Sequence, residues 1–141
     1  MIKQVRFADY VEPITQMMLA NTGLEPVLLD IPVERYVQLD EMGVLKPILW
    51  FDGEVIKGMA LMMVSPSLRN PIVIDAQADV LYVKPAHRGQ SSKFMNGIKA
   101  LLKPMGVSMI IASSRDAEPI DRFLIKNNFK PLERLFYCEV V

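Results

Sequence analysis

Asp52-Gly53 stands between two long apolar runs, residues 47–51 and 55–64, and limits the fold more than any other feature of the chain. The pair is a strong two-residue turn signal, because its backbone accepts the positive φ that a tight hairpin demands. A second break follows at 65–71, where two prolines, two serines and an asparagine mark a turn or loop. Residues 72–83 then give a third long strand. Three neighbouring antiparallel strands are the simplest reading.

The flanking segments supply helices. Residues 2–6 alternate weakly and predict a short strand. Asp9 is placed to cap a helix carrying Ile14, Met17, Met18 and Leu19, with Pro13 in its first turn and Gly23 after its end. A second helix is expected over 32–42, closed by Gly43. Beyond the strands, Phe94, Ile98, Leu101, Leu102 and Met105 follow helical spacing, and Gly106 ends that run. Residues 107–112 read as a short strand buried on both faces. A last helix is expected over 116–127, with Pro119 in its first turn and Ile120, Phe123 and Leu124 inward. Residues 132–141 read as a final strand. The layout is a single α+β domain over 1–141, ordered β-α-α-β-β-β-α-β-α-β.

Composition narrows the function. Sixteen basic and sixteen acidic side chains cancel, which argues against a nucleic-acid binder. No run reaches transmembrane length and the first residues lack a secretory signal, so a cytoplasmic protein away from the membrane is expected. One histidine and one cysteine cannot make the usual structural zinc site, and no metal is expected. Cys138 reads as a buried thiol in the last strand, and His87 as a surface residue. The methionines Met17, Met18, Met59, Met62 and Met63 read mainly as core, as does Trp50.

The segment LYVKPAHRGQSSKF, residues 81–94, carries the chemistry. A strand meets Pro85 and hands over to a helix through an arginine, a glycine and small hydroxyl residues. The start of a helix presents about four unpartnered N–H groups and favours an anion. Gly89 permits close approach, Ser91 and Ser92 add hydroxyls, and Arg88 and Lys93 add charge, so the junction reads equally as a phosphate cradle or as a plain capped turn.

Residues VLYVKPAHRGQ followed by a helix resemble the acetyl-CoA-binding motif of the GCN5-related N-acetyltransferases, written [RQ]-x-x-G-x-[GA] in that family. The DGEVIKGMALMMV hairpin, the strand MIIAS and the helix ending in NNF extend the resemblance along nearly the whole chain. Ser91 and Lys93 replace the motif's later glycine and small residue. The resemblance implies a mixed, mostly antiparallel central sheet flanked by helices. It implies acetyl-CoA as co-substrate, with pantetheine along Leu81, Tyr82 and Val83 and pyrophosphate over Arg88, Gly89, Gln90, Ser91, Ser92 and Lys93. Ser113 and Ser114 fall where relatives contact the cofactor.

The implied activity is N-acetyl transfer to a primary amine of a small molecule or protein, by direct attack on the thioester. The alternative is a module of the same fold that has lost catalysis. The resemblance implies a base on the central strand, where Asp75, Gln77 and Asp79 share one face by alternation while Tyr82 faces away. Asp79 and Asp75 are the candidate bases, acting through water; a solvated sheet face is the plain alternative. Leu124 stands where relatives carry an acidic tyrosine, which leaves Tyr137 as the candidate acid. Relatives often form dimers through their later strands, so a homodimer is an implied partner. Acceptor specificity is expected from the first two helices and the 65–70 loop.

Overall fold

The computed structural model describes residues 1–22, 30–116 and 118–140. In chain order it contains β1 (Ile2–Gln4), a 3-10 turn (Phe7–Asp9), α1 (Val11–Thr22), α2 (Val33–Glu41), β2 (Leu45–Asp52), β3 (Val55–Pro66) and β4 (Ile74–Val83). A second 3-10 turn (Pro85–Gln90) leads into α3 (Ser91–Leu102), followed by β5 (Val107–Ile111) and α4 (Asp121–Lys126). The strands form one five-stranded sheet in sequence order. Neighbours from β1 to β4 are antiparallel, and β5 runs parallel to β4. A parallel pair needs a crossover, and α3 supplies it.

The hairpin forms where expected, with Asp52 paired to Val55 and Gly53 at φ +61°. Strand alternation sends apolar side chains to both faces of the sheet. Leu45, Leu49, Met59 and Leu61 pack with Ile14, Met17 and Met18 beneath α1 and α2. Ile48, Trp50, Ala60, Met62 and Ala76 pack with Phe94, Ile98 and Leu102 of α3. The Trp50 and Phe94 rings stack at 5.5 Å. Four of the five singled-out methionines are therefore core, and Met63 lies against its edge.

β4 contains the irregularity that shapes the site. Val80 pairs with Leu61, yet Ala78 pairs with the next residue, Met62, so Asp79 has no partner on β3. Such a bulge inserts one residue and reverses the alternation beyond it. Ala76 and Ala78 face α3, and so do Leu81 and Val83, three residues further on instead of two. Val80 and Tyr82 consequently turn toward α1 and α2. Strict alternation placed Tyr82 opposite Asp79; the bulge puts it on the α1–α2 side.

Several expectations are corrected. Residues 130–140 form no strand: they lack regular structure and are exposed throughout. Cys138 is accordingly exposed instead of buried. Without that strand β5 is an edge, and Met109 is 45 % exposed, so β5 is not covered on both faces. Asp9 belongs to the 3-10 turn, and Tyr10 lies between it and α1. α4 begins at Asp121, five residues later than expected, because Pro119 and Ile120 remain in the loop that Ser114 holds. The expectation for Gly23 lies outside the described residues.

Candidate active site

β4 and β5 pair only as far as Gln77 and Ile111. Beyond that point the strands part, and a cleft of about 110 Å³ opens between them. Ala78, Asp79 and Leu81 form one wall; Ala112, Ser113 and Arg115, just after β5, form the other. Its volume holds a few waters or an acyl group, well short of a nucleotide. The parted stretch of β4 also loses its β5-side ladder, leaving backbone groups for a ligand to meet.

Asp79 is the candidate carboxylate that lines this cleft. Its Oδ2 accepts a hydrogen bond of 2.8 Å from the Tyr36 hydroxyl, which comes from α2. Burial, then the hydrogen bond to Asp79 and its negative charge, hold the Tyr36 phenol well above its ordinary pKa. The tyrosine ring is set by its stack on Phe7, with centroids 5.3 Å apart and planes 9° from parallel. Phe7 in turn donates its backbone N–H to Asp40 Oδ2 at 2.7 Å, tying α2 to the first 3-10 turn. Sequence reading expected a helix over 32–42 and did not pair Tyr36 with Asp79. No local signal in the sequence marks that contact, which joins two elements far apart along the chain.

Asp75 lies elsewhere. It pairs with Ser65 and Met109, outside the cleft walls, and its Oδ1 is buried without a hydrogen-bond partner. Tyr137 sits in the exposed 130–140 segment, 92 % accessible, and does not join Asp79. Leu81, Tyr82 and Val83 occupy the parted end of β4, with Tyr82 on the face opposite its neighbours.

The strand-to-helix junction is more ordered than a bare loop. Residues 85–90 coil as a 3-10 helix that continues into α3. Arg88 turns back onto the strand end: its Nε donates to the Val83 carbonyl at 3.0 Å, and its guanidinium lies 5.8 Å from the Tyr82 ring centroid. Ser91 Oγ donates to the Arg88 carbonyl at 2.7 Å. Ser92 Oγ accepts from Asn127 Nδ2 at 3.3 Å, and Lys99 Nζ reaches the Asn127 carbonyl at 2.7 Å, so these two residues of α3 hold the end of α4. Ser114 is likewise structural, bonding the Asp121 carboxylate and the Ile120 N–H at the start of α4. Lys93 is exposed, and α3 has no side-chain cap. A Cβ added to Gly89 would meet nothing within 4 Å, so the space in front of that backbone is open. Gly89, Gln90 and Lys93 are thus the junction residues left facing outward without a described side-chain partner.

No family model matches the sequence. No curated protein matches it either. Solved structures match in shape. An aminoglycoside acetyltransferase from an uncultured soil metagenomic sample superposes with a TM-score of 0.77 at 14 % identity, over 100 % of this chain and 95 % of that one. Glucosamine-6-phosphate N-acetyltransferase from Arabidopsis thaliana gives 0.73 at 12 % identity, over 99 % and 97 %. A predicted acetyltransferase from Clostridium acetobutylicum, solved with acetyl-CoA, gives 0.71 at 13 %, over 99 % and 95 %. Over its length, then, the chain has the fold of the GCN5-related N-acetyltransferases.

Proposed function

We propose that this protein is an N-acetyltransferase, moving an acetyl group from acetyl-CoA to a primary amine. The observation that carries the proposal is the cleft where β5 leaves β4, with bulged Asp79 on its wall and the open Gly89 backbone near the strand end. The chain's own groups suit such a ligand. The unpaired side of β4 beyond Gln77 offers backbone partners to an amide-bearing pantetheine arm. Lys93, exposed on the first turn of α3, adds positive charge that favours the diphosphate. Arg88 contributes by bracing Val83 and Tyr82, so its role is to shape the strand end.

The reaction needs an acceptor nitrogen with a free lone pair. That nitrogen attacks the thioester carbonyl, the C–N bond forms, and the C–S bond breaks to release the thiolate of CoA. Asp79, directly or through one water, takes the proton the nitrogen gives up. Tyr36 orients the carboxylate and keeps one oxygen occupied, which leaves the other for the proton. Holding both reactants side by side supplies the larger share of the rate. An open groove of about 620 Å³, lined by Met17 of α1 and Tyr82 of β4, lies on the same side of the sheet as Tyr36. It is our candidate for the acceptor, a small-molecule or protein amine.

Calorimetric titration with acetyl-CoA, followed by a panel of amines and lysine peptides assayed for free thiol, tests this reading. Binding and turnover are expected. Asp79→Asn should keep acetyl-CoA binding and lower kcat/KM by about a hundredfold or more. Absence of binding at millimolar acetyl-CoA would overturn the function; unchanged turnover in Asp79→Asn would overturn the base.

A further inference from the structure

Acyl transfer puts opposite charges on its two partners. The attacking nitrogen becomes positive until it loses a proton, and the negative charge passes from the carbonyl oxygen to the leaving sulfur. Asp79 serves the nitrogen. No phenol serves the sulfur, because none of the four tyrosines lines the cleft. Tyr10 packs edge-on to Phe51, Tyr82 turns toward α1 and α2, and Tyr137 lies in the exposed 130–140 segment. Tyr36 already donates its hydroxyl to Asp79, and burial together with that contact holds its phenol well above the ordinary value, which makes it a poor acid.

The cleft does carry a cation. Its lining includes three charged side chains: Asp79 on the β4 wall, and Arg115 and Glu118 in the loop between β5 and α4. That loop is braced on both flanks of the arginine. The Glu118 N–H donates to the Arg115 carbonyl at 3.2 Å, while Ser114 Oγ bonds the Asp121 carboxylate and accepts from the Ile120 N–H at 2.8 Å. Among the described residues the Arg115 guanidinium makes no ion pair, hydrogen bond or ring contact, and the one ion pair joins Lys57 to Asp52. Asp79 and Arg115 therefore face the same small space without neutralising each other. Arg115 is exposed, so water screens its charge; a ligand that displaces this water strengthens the attraction. Ser113 brings a hydroxyl to the same wall, and a hydroxyl carries no charge to offer.

We propose that Arg115 is a further catalytic residue, whose guanidinium pairs with the sulfur as it leaves, so that CoA departs as a thiolate instead of a thiol protonated by the enzyme. The inference rests on the acetyl-transfer reading. The lone pair of the amine forms the C–N bond, and the C–S electron pair goes to sulfur. Asp79 takes the proton that nitrogen gives up, and the thiolate gains one from water after it has left. A guanidinium keeps its protons throughout, so its contribution is electrostatic and needs no acid. Glu118, three residues on in the same turn, opposes it with one negative charge, and Asp79 does so until it takes the proton.

The thiol of bound CoA reads this contact without turnover. Its ionisation is followed by ultraviolet thiolate absorbance, as the difference between the full chain with CoA and with desulfo-CoA, which cancels Cys138 and the tyrosines. Binding to the wild type should raise the thiolate fraction at neutral pH about tenfold over that of free CoA. Arg115→Gln should abolish the rise, and Arg115→Lys, which keeps the charge, should retain most of it. With acetyl-CoA and an accepted amine, Arg115→Gln should lower kcat about a hundredfold and leave the KM for acetyl-CoA nearly unchanged. The side chain lies outside both cores, so the circular dichroism of the variants should match the wild type. If CoA does not bind the wild type, the acetyl-transfer reading and this inference fall together. If CoA binds and its thiol titrates as it does free, this inference alone is overturned. So it is by an Arg115→Gln variant with the wild-type thiolate fraction or kcat, or by an Arg115→Lys variant no better than Arg115→Gln.

Discussion

Asp79 and Tyr36 are 43 residues apart in sequence, and their contact depends on α2 being seated by the Phe7 turn. The phenol's raised pKa has a definite consequence for stability. A neutral phenol is favoured in the folded state, so the folded chain keeps its proton above pH 10, the ordinary tyrosine value, where the unfolded chain loses it. The stabilisation is therefore full below about pH 10 and declines as pH rises above it. Denaturant titrations of wild type and Tyr36→Phe at several alkaline pH values should show a shallower decline in the variant. Asp79 could be singled out in the sequence because the family resemblance implies a base on the central strand. Tyr36 could not, because a tyrosine at helical spacing looks the same whether its hydroxyl meets water or a carboxylate.

Elements were legible to the extent that local signals made them. The β2–β3 hairpin needed only Asp52-Gly53 and its apolar flanks, and α3 needed only its stripe from Phe94 to Leu102. α4 was drawn too long because apolar spacing continued through Ile120, where Ser114 already holds the loop. The expected last strand failed for another reason: a strand acquires its hydrogen bonds from a neighbour, and alternation does not supply one. Close packing of elements also rests on features that the pattern hides. At Gly58 on β3 an added Cβ would lie 3.0 Å from the Tyr82 carbonyl oxygen and 3.3 Å from the Phe94 ring and the Val83 side chain. The carbonyl belongs to a paired strand and cannot retreat. Gly58→Ala should destabilise the fold by about 1–3 kcal/mol in urea unfolding, with the slope unchanged.

For the molecule as a whole, order along the chain determined the architecture, because three neighbouring antiparallel strands followed by a crossover helix and a further strand leave few sheet arrangements. If acetyl-CoA occupies the proposed site, it binds the folded chain alone. At a hundred times its Kd it should therefore add about 2.7 kcal/mol to the unfolding free energy, visible as a rise in Tm. Desulfo-CoA, which keeps the diphosphate, should raise it too. The β4 irregularity reaches furthest of all. Asp79 is the supernumerary residue of its strand: every other position from Ala76 to Val83 would keep its side of the sheet if a single codon were lost there. The carboxylate thus rides on the one position that the architecture could spare, and a gene shortened by three bases at that point would encode a more regular scaffold stripped of its candidate base.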